Sequence, residues 1–360
     1  MPTLSAAVLS DFTIRLFLAA GTTAKEAAVV TRGLVGANLR GHDSHGVMRA
    51  PQYIDFLHKG EYQSGVDLII NHETEAVVVA DGQWGFGQVQ AHRLLDRTIP
   101  KAKAMGLAAG AARRFGHTGR LGEYAERAAD EGLILLATVN NDGAGQRVAP
   151  PGGTAGRLGT NPLCVGVPTE SDPVVLDFGT SVVAEGKVRV HYISGRPVPD
   201  GWLIDHRGEP TNDPKVLYEA PLGGIRPMGG EQSYKGFGLA LVLDMLAGGL
   251  GGGHMSYPGA PPAKGNSLLF ILFDPEKFAG RDALVGQGTK LVEFVKGAPR
   301  AEGVAEITLP GDPERRTLER RSTQGIPLED AHWSKLADLA RELGVDVPEV
   351  SFKTGPQAQA

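Results

Sequence analysis

A histidine, an arginine and a tyrosine recur at intervals of four in the stretch R-G-H-D-S-H-G-V-M-R-A-P-Q-Y-I at residues 40–54, as His45, Arg49 and Tyr53. On an α-helix this spacing places side chains on one face, one turn apart. Histidine exchanges a proton near neutral pH, and the planar guanidinium of arginine matches a carboxylate with two parallel hydrogen bonds. The pattern favours proton transfer on a small substrate that carries a carboxylate. The spacing alone leaves open an ordinary amphipathic helix.

Pro51 limits how much of this stretch can form one helix. Proline lacks an N–H and is tolerated in the first turn of a helix but not in its interior. We therefore expect an entry segment from Ser44 to Val47 and a helix that starts near Met48, so that His45 lies just before it.

Three further polar residues occupy positions typical of binding sites. His117 is predicted in a loop before a helix, Asp177 at the end of an apolar strand, and Lys235 at the start of a helix after a glycine-rich turn. Helix N-termini favour anions, and carboxylates at strand ends often face ligand crevices. Each has a structural alternative: solvated surface groups for His117 and Lys235, and N-capping of the next segment for Asp177.

The sequence lacks the common signatures of a nucleotide-binding loop and of a complete metal site. No G-x-G-x-x-G or P-loop spacing occurs, which excludes a standard Rossmann fingerprint, so any dinucleotide must be held by another arrangement of backbone amides. His42 and His45 have H-x-x-H spacing, but no clear third ligand follows, and we predict no metal site. A metal-dependent hydrolase built on His42, His45 and His117 stays open as an alternative.

Composition narrows the class of protein. The 360 residues suggest more than one lobe, while a net charge of −5 without a Lys/Arg block argues against nucleic-acid binding. No basic signal-peptide start and no apolar run near the roughly 18 residues of a membrane helix occur, so we expect no membrane attachment. The single Cys164 excludes an internal disulfide, fits a cytoplasmic location, and is predicted to be buried among apolar neighbours.

Hydrophobic periodicity predicts a helical N-terminal third followed by an α/β region. Residues 4–40 are predicted as two helices, the first capped by Ser5 or Ser10 and the second by Thr23, with Glu26 completing a capping box. A glycine- and proline-rich stretch covers 141–168, a polar excursion covers 194–233, and the tail after Glu349 is predicted to be disordered. The remaining predictions are strands at 76–81, 106–112, 133–140, 173–180 and 267–273, and helices at 88–105, 121–131, 236–250, 279–297 and 328–344.

Several ordered motifs resemble the malate/L-lactate dehydrogenase family of the non-Rossmann type over nearly the whole chain, and most of all its hydroxycarboxylate dehydrogenase branch. The motifs are D-S-H-G-V-M-R-A-P-Q-Y at 43–53, F-G-H-T-G-R-L-G-E-Y-A at 115–125, R-L-G-T-N-P-L-C at 157–164, L-D-F-G-T-S-V-V-A-E-G-K at 176–187, S-Y-K-G-F-G-L-A at 233–240, P-G-D at 310–312 and Q-G-I-P-L at 324–328.

This resemblance implies an α/β fold unrelated to the Rossmann fold, with a large mixed sheet and a helical lobe built from both chain ends. It also implies a homodimer. On that basis we expect residues 1–72 to form a helical part that carries the catalytic stretch, residues 73–314 to form the cofactor-binding α/β domain, and residues 315–360 to form a helical part that packs on the first.

The resemblance also implies roles for individual residues. His45 or His117 is the proton donor and acceptor, Arg49 holds the substrate carboxylate, and Ser44 and Tyr53 line the substrate pocket. The residues implied to hold the cofactor are Asn141, Asp177, Phe178, Gly179, Tyr234, Lys235, Gly311 and Asp312.

The implied reaction is hydride transfer between C2 of a 2-hydroxy or 2-oxo acid and a nicotinamide, with NAD expected and NADP as the alternative. Within the same family, reduction of a cyclic imine carboxylate (a piperideine- or pyrroline-carboxylate) and oxidation of ureidoglycolate stay open. A non-catalytic binding protein of the same fold is the remaining alternative.

Overall fold

The computed structural model describes residues 1–352. Ten α-helices lie in this part of the chain: α1 (Ala6–Ala19), α2 (Ala24–Leu39), α3 (Ala50–His58), α4 (Gly87–Met105), α5 (Gly122–Asp130), α6 (Glu185–Ile193), α7 (Ser233–Leu250), α8 (Arg281–Lys296), α9 (Asp312–Gln324) and α10 (Asp330–Glu342). No helix among the described residues is both long and apolar enough to span a bilayer.

Thirteen strands lie in the same residues: β1 (Pro2–Leu4), β2 (Ile69–Glu73), β3 (Val77–Asp81), β4 (Leu107–Gly116), β5 (Ile134–Asn140), β6 (Leu163–Val167), β7 (Val174–Phe178), β8 (Leu203–Ile204), β9 (Pro210–Thr211), β10 (Gly224–Ile225), β11 (Gly265–Phe273), β12 (Ile326–Pro327) and β13 (Ser351–Phe352).

Seven of these strands form the central mixed sheet, in the order β2-β3-β4-β11-β5-β6-β7. Only the β3–β4 pair is parallel, and the other five pairs are antiparallel. Helices α4 and α5 cover one face and bury its side chains in the main core, while α7 packs on β4, β5 and β11 from the other face. This is the large mixed sheet that the family resemblance implied.

A second core joins the two ends of the chain. Strand β1 pairs with β12 on one side and with β13 on the other, and α10 packs against α3. The rings of Phe12 and Trp333 lie 5.7 Å apart in this core. A third, smaller cluster fills the lobe around β8, β9 and β10.

The N-terminal helices begin where the capping residues predicted. The side-chain oxygen of Ser5 accepts a hydrogen bond from the Val8 amide, and that of Thr23 accepts one from the Glu26 amide. The Glu26 carboxylate accepts from the Thr23 hydroxyl and also from the Gly65 amide, so it fixes the connection after α3 as well. Cys164 is buried and unpaired, as predicted.

Most long elements lie where the sequence placed them, but the structure corrects several predictions. The polar excursion at 194–233 contains the three-stranded sheet β10-β8-β9. The prediction of disorder after Glu349 is wrong for Ser351–Phe352, which form β13, and otherwise falls outside the described residues. Helix α9 was not predicted, because its sequence D-P-E-R-R-T-L-E-R-R-S-T-Q is polar on every side and offers no apolar stripe.

Candidate active site

The stretch around His45 is not one continuous helix. His45 ends one short 3₁₀ turn (Asp43–His45), Arg49 ends a second (Val47–Arg49), and only Tyr53 lies on an α-helix. Pro51 stands in the first turn of α3, so the helix begins two residues later than the predicted start at Met48. The three side chains nevertheless lie close together: His45 and Tyr53 both contact His117, and the charge of Arg49 acts on both His45 and Tyr53.

The two histidines face each other across the junction of α3 and β4. Their imidazole rings stack with centroids 5.5 Å apart and planes inclined by 21°. The Tyr53 hydroxyl lies 2.6 Å from Nδ1 of His117, and the Ser44 hydroxyl lies 3.0 Å from Nδ1 of His45. Four residues chosen from two distant motifs thus form one cluster.

Both histidines are held neutral. Desolvation, followed by the positive charge of Arg49, lowers the pKa of His45 from 6.5 to about 3. The same two causes lower the pKa of His117 well below 6.5. Desolvation also raises the pKa of Tyr53 to about 12, so its phenol keeps its proton. At neutral pH the cluster therefore offers two uncharged imidazoles beside a fixed cation.

Arg49 is oriented by its neighbours. Its Nε donates to the Ser44 carbonyl at 2.7 Å and its Nη1 donates to the Gln52 side chain at 3.0 Å. Within the described residues no carboxylate pairs with Arg49, so its charge is available to an anionic ligand.

The loop that carries His45 is anchored to α9, the helix that sequence analysis missed. Arg321 binds both carboxylate oxygens of Asp43 at 2.7 and 3.0 Å, and Glu314 lies 3.0 Å from Nε2 of His42. The Asn38 side chain bonds to Asp43 and to the Val47 amide. A Cβ atom on Gly46 would lie 2.3 Å from the side chain of Asn38, so position 46 requires glycine.

His117 follows directly on β4, and two other segments fix its backbone. Its amide donates to the Tyr62 hydroxyl at 2.8 Å. A Cβ on Gly87 would come within 2.4 Å of the His117 carbonyl oxygen, so the start of α4 packs directly on this backbone. Sequence analysis assigned no role to Tyr62 or Gly87, because both act through long-range contacts.

Asn266, which sequence analysis also missed, links Thr118, the residue after His117, to Asn140 and Asn141. Its buried side chain accepts from the Thr118 amide at 2.9 Å and donates to the Asn140 carbonyl at 2.9 Å. The same amide nitrogen lies 3.4 Å from the Asn141 side-chain oxygen. A shift in the pairing of β11 with β4 falls between Asn266 and Leu268, and such irregularities recur next to functional sites.

Asp177 is the penultimate residue of β7, close to the predicted strand end, but it does not cap the segment that follows it. Its carboxylate accepts a 2.7 Å hydrogen bond from the Gly122 amide, the first residue of α5. Burial raises the pKa of Asp177, while that hydrogen bond and the charges of His42 and Arg120 oppose the increase. Asp177 thus caps α5, the helix that connects β4 to β5. It also lies close enough to His42, in the histidine loop, for the two charges to interact.

Phe178 and Gly179 continue from Asp177. Phe178 is half-buried and pairs with Leu163 of β6, and the backbone at Gly179 is exposed. Farther along the same motif, a Cβ on Gly186 would lie 3.3 Å from the Ser44 Cβ. The motif at 176–187 therefore passes beside the histidine loop.

Tyr234 and Lys235 lie in the first turn of α7, after the glycines Gly229 and Gly230, both of which have positive φ. Both side chains are exposed, and Nζ of Lys235 lies 6.0 Å from the Tyr234 ring. No carboxylate within residues 1–352 pairs with Lys235. A free cation at a helix N-terminus is suited to a phosphate.

Gly311 and Asp312 begin α9 on the β7 side of the sheet. Asp312 is 8% exposed, and its carboxylate binds the Leu309 amide, Arg315 and Lys296. The carboxylate is thus already engaged by two cations and a backbone amide. Val175 of β7 donates to the Pro310 carbonyl, which holds this turn against the sheet.

No group of three or more His, Cys, Asp or Glu side chains suited to a metal ion lies in the described part of the chain. His42, one of the three histidines of the hydrolase alternative, is paired with Glu314.

Comparison with known proteins gives a consistent picture. The model of the family described as malate/L-lactate dehydrogenase matches residues 4–337. Hydroxycarboxylate dehydrogenase B of Escherichia coli O157:H7 is 38% identical over 345 residues, which cover 94% of each chain. The solved structure of malate dehydrogenase from Pyrococcus horikoshii OT3 superposes with a TM-score of 0.85 at 30% identity, covering 96% of each chain. Δ1-piperideine-2-carboxylate reductase from Pseudomonas syringae pvar. tomato gives a TM-score of 0.80 at 31% identity, covering 94% of this chain and 100% of the other.

Proposed function

The chain belongs to the malate/L-lactate dehydrogenase family, and we propose that it interconverts a small 2-hydroxy acid and its 2-oxo acid with NAD as the hydride carrier. It is an oxidoreductase that acts on a CH–OH group, in line with relatives that are named hydroxycarboxylate dehydrogenase and malate dehydrogenase. The observation that supports the proposal best is the pair of stacked, neutral histidines beside the fixed cation of Arg49.

We assign proton transfer to His45. During oxidation a base must remove the hydroxyl proton while hydride leaves C2, and a neutral imidazole does this. The low pKa of His45 keeps its ring unprotonated in the free enzyme. Desolvation is the main cause of the low pKa and Arg49 the second, so a bound substrate carboxylate, which offsets the charge of Arg49, raises the pKa of His45 and favours the imidazolium that returns the proton during reduction.

His117 then has a different task, which follows from its hydrogen bonds. The Gln88 side chain donates to the Tyr53 hydroxyl at 3.3 Å, which leaves the phenol proton for Nδ1 of His117 at 2.6 Å. With Nδ1 as an acceptor, neutral His117 carries its proton on Nε2. We assign this N–H to the substrate oxygen at C2, where it stabilises negative charge that develops in the transition state.

Arg49 holds the substrate carboxylate. Its guanidinium is oriented by the Ser44 carbonyl and Gln52, so little rotational freedom is lost on binding. Fixing the carboxylate places C2 and its hydroxyl next to the histidine pair. Ser44 positions His45 through the Nδ1 contact, and Tyr53 positions His117.

The exposed residues at the α7 N-terminus fit a dinucleotide. Lys235 and the free amides of the helix start suit its phosphates, and Tyr234 offers a ring for stacking. Asn161, next to Asn141 across Gly159, has a buried side-chain oxygen with no hydrogen-bond partner in the described residues, which suits a carboxamide donor. Nicotinamide, when bound, supplies the hydride chemistry. Among the expected cofactor residues, Asp177 and Asp312 contribute by holding backbone, since their carboxylates are already bonded.

A second candidate substrate class is a cyclic imine carboxylate. The similarity to Δ1-piperideine-2-carboxylate reductase supports it, because such a substrate presents the same carboxylate to Arg49 and a ring nitrogen to the histidines. We rank it second, because the other relatives compared are named for hydroxy acids.

We further propose a cytoplasmic homodimer with three parts: residues 1–72, which carry the histidine loop, the α/β domain at 73–314, and residues 315–360. The shared core between β1, β12, β13 and α10 supports treating the first and last parts as one helical lobe.

A spectrophotometric assay tests the function directly. Purified protein is mixed with NADH or NADPH and with lactate-, malate- and aryl-type 2-oxo acids, with and without EDTA. We expect oxidation of NADH by one of the 2-oxo acids, unaffected by EDTA. Turnover of a cyclic imine alone supports the second candidate, loss of activity in EDTA contradicts the metal-free site, and no turnover of any substrate refutes the proposal.

A further inference from the structure

The side-chain amide of Asn161 has only one possible orientation. Asn161 is 2% exposed, and its side-chain nitrogen donates to the Ala240 carbonyl at 3.0 Å and to a carboxylate oxygen of Asp244 at 3.2 Å. A carbonyl and a carboxylate only accept hydrogen bonds. Exchanging the nitrogen and the oxygen of the amide would therefore set its oxygen against two other acceptors. The side-chain oxygen of Asn161 must point away from both partners.

That oxygen lacks a donor. It is buried and accepts no hydrogen bond from the described residues, whereas buried polar atoms in native proteins are nearly always paired. Gly159 keeps the space in front of it open, because a Cβ there would lie 2.8 Å from the Asn161 oxygen and 3.2 Å from the side-chain nitrogen of Asn141. One acceptor and one donor thus border the same space, which we call the Gly159 gap. A primary carboxamide, with one NH2 and one C=O, complements such a pair.

The Gly159 gap lies close to the histidine cluster. The Asn141 side-chain oxygen is 3.4 Å from the side-chain nitrogen of Asn266, whose oxygen accepts from the amide of Thr118, the residue after His117. One side chain thus links the gap to the backbone beside His117. Asn161 also has a positive φ of 23°, which is uncommon outside glycine and recurs at ligand-binding sites.

Asp244 on α7 holds a second amide as well. It is 3% exposed, and the oxygen that accepts from Asn161 also accepts from the side-chain nitrogen of Asn140 at 3.0 Å. Its other oxygen accepts from the Ser256 backbone amide at 2.7 Å. A carboxylate satisfies all three donors because both of its oxygens accept. An asparagine at position 244 would turn its own NH2 toward at least one of these N–H groups in either orientation.

We propose that Asp244 is a positioning residue that makes the site selective for a pyridine nucleotide carrying a carboxamide. By holding the nitrogen of the Asn161 amide, Asp244 directs the oxygen of that amide to the Gly159 gap, where it accepts a hydrogen bond from the carboxamide NH2. This inference rests on the proposed function, in which NAD supplies the carboxamide. A nucleotide whose ring carries no N–H donor leaves the Asn161 oxygen unpaired, so it binds less tightly.

Three nucleotides that differ only in the ring substituent test the proposal. NAD and thionicotinamide adenine dinucleotide carry an NH2 group, and 3-acetylpyridine adenine dinucleotide carries none. Isothermal titration calorimetry gives Kd for each with wild-type protein and Asp244→Asn. In the variant we expect Kd to rise about tenfold for the two NH2-bearing nucleotides and to stay within about twofold for the acetylpyridine analogue. Equal changes for all three nucleotides, or no change, would overturn the proposal, since the Asn161 oxygen then faces water or a group common to all three.

Asp142→Asn is the matched control. The Asp142 carboxylate accepts from the His254 amide at 2.9 Å, so it anchors the same segment between α7 and β11 that Asp244 holds through Ser256. None of its hydrogen bonds within the described residues reaches Asn161. The three Kd values should therefore keep their wild-type ratios. A selective loss of the NH2-bearing nucleotides in Asp142→Asn as well would assign the effect to the segment and refute the role of Asp244.

A crystal structure of wild-type protein with NAD needs no substitution and so does not depend on the folding of a variant. We expect the carboxamide nitrogen about 2.9 Å from the Asn161 side-chain oxygen, with the Asn161 nitrogen still on Asp244. A carboxamide bound elsewhere would overturn the proposal while leaving the proposed enzymatic activity intact. Wild-type protein that binds none of the three nucleotides would refute the proposed cofactor, and this inference with it.

Discussion

The histidine cluster and the expected cofactor residues differ in how completely a single chain assembles them. His45, Ser44, Tyr53 and His117 contact one another within hydrogen-bond or ring-stacking distance, and desolvation sets the protonation of the imidazoles. The cofactor residues are spread over the ends of several elements. Two of their carboxylates are already bonded, and Tyr234 and Lys235 are exposed. The residues proposed for proton chemistry are thus pre-organised in the chain, whereas those proposed for the nucleotide lie at separate helix and strand ends, some exposed and some already bonded.

This difference predicts that single substitutions act most strongly in the histidine cluster. His45→Gln removes the base, and kcat is expected to fall by a factor of about 10²–10⁴. The pH dependence of kcat should disappear with it. In the matched variant His117→Gln, kcat should fall while the pH dependence remains, because His117 donates a hydrogen bond without changing protonation. Steady-state rates between pH 5.5 and 9 test this, and loss of the pH dependence in His117→Gln alone would reverse the two assignments.

Arg49→Lys keeps the charge but removes the planar fork. We expect kcat/KM for the 2-oxo acid to fall by about a hundredfold, because a lysine cannot hold the carboxylate with two parallel hydrogen bonds. KM for the nucleotide should change little. Arg15→Lys, at a partly exposed arginine paired with Asp11, serves as the control. Unchanged kcat/KM in Arg49→Lys would remove Arg49 from the substrate site.

Asp312→Asn tests whether this residue acts on structure or on cofactor. Because the Asp312 carboxylate is bonded to the Leu309 amide, Lys296 and Arg315, the substitution should lower the free energy of unfolding by about 1–3 kcal/mol. At a temperature where the variant is folded, its KM for the nucleotide should stay within about twofold of the wild-type value. Loss of a hydrogen bond to the nucleotide would change KM by more than that. A large rise in KM without loss of stability would place Asp312 in the nucleotide site instead.

The neutral histidines also make folding sensitive to acid. Their pKa values are lower in the folded chain than the unfolded value near 6.5, so the unfolded chain binds more protons below that pH. Their contribution to the free energy of unfolding is complete above about pH 6.5. As the pH falls toward the pKa values of the folded chain, that contribution is lost by at most about 1.4 kcal/mol per pH unit for each histidine. Urea unfolding from pH 7 to pH 4 measures this slope. His45→Gln should reduce the slope, and an equal slope in that variant would contradict the low pKa.

Lys235→Met tests the exposed region and should have the smallest effect. We expect KM for the nucleotide to rise by about tenfold with little change in kcat, because one exposed cation contributes about 1.4 kcal/mol to phosphate binding. The effect should shrink at high salt. Lys25→Met on α2, another exposed lysine, is the control. An unchanged KM at low salt would contradict the assignment.

The sequence by itself determined the family, the mixed α/β fold and the histidine, arginine and tyrosine of the cluster. It did so because these signals are local: capping residues, apolar periodicity and short motifs lie within a few positions of each other. Ser5, Thr23 and the buried Cys164 are examples that the structure confirms.

Only the tertiary structure decided which residues support the cluster. Helix α9 has no apolar stripe and is held by Glu314 and Arg321, whose partners His42 and Asp43 lie more than 270 positions away in the chain. Asn266 and Tyr62 bond to the backbone at His117 and Thr118 from other elements. Asp177 caps α5 from a strand that follows it by about 50 residues. Such contacts depend on chain folding rather than on neighbouring sequence, so no local pattern could reveal them.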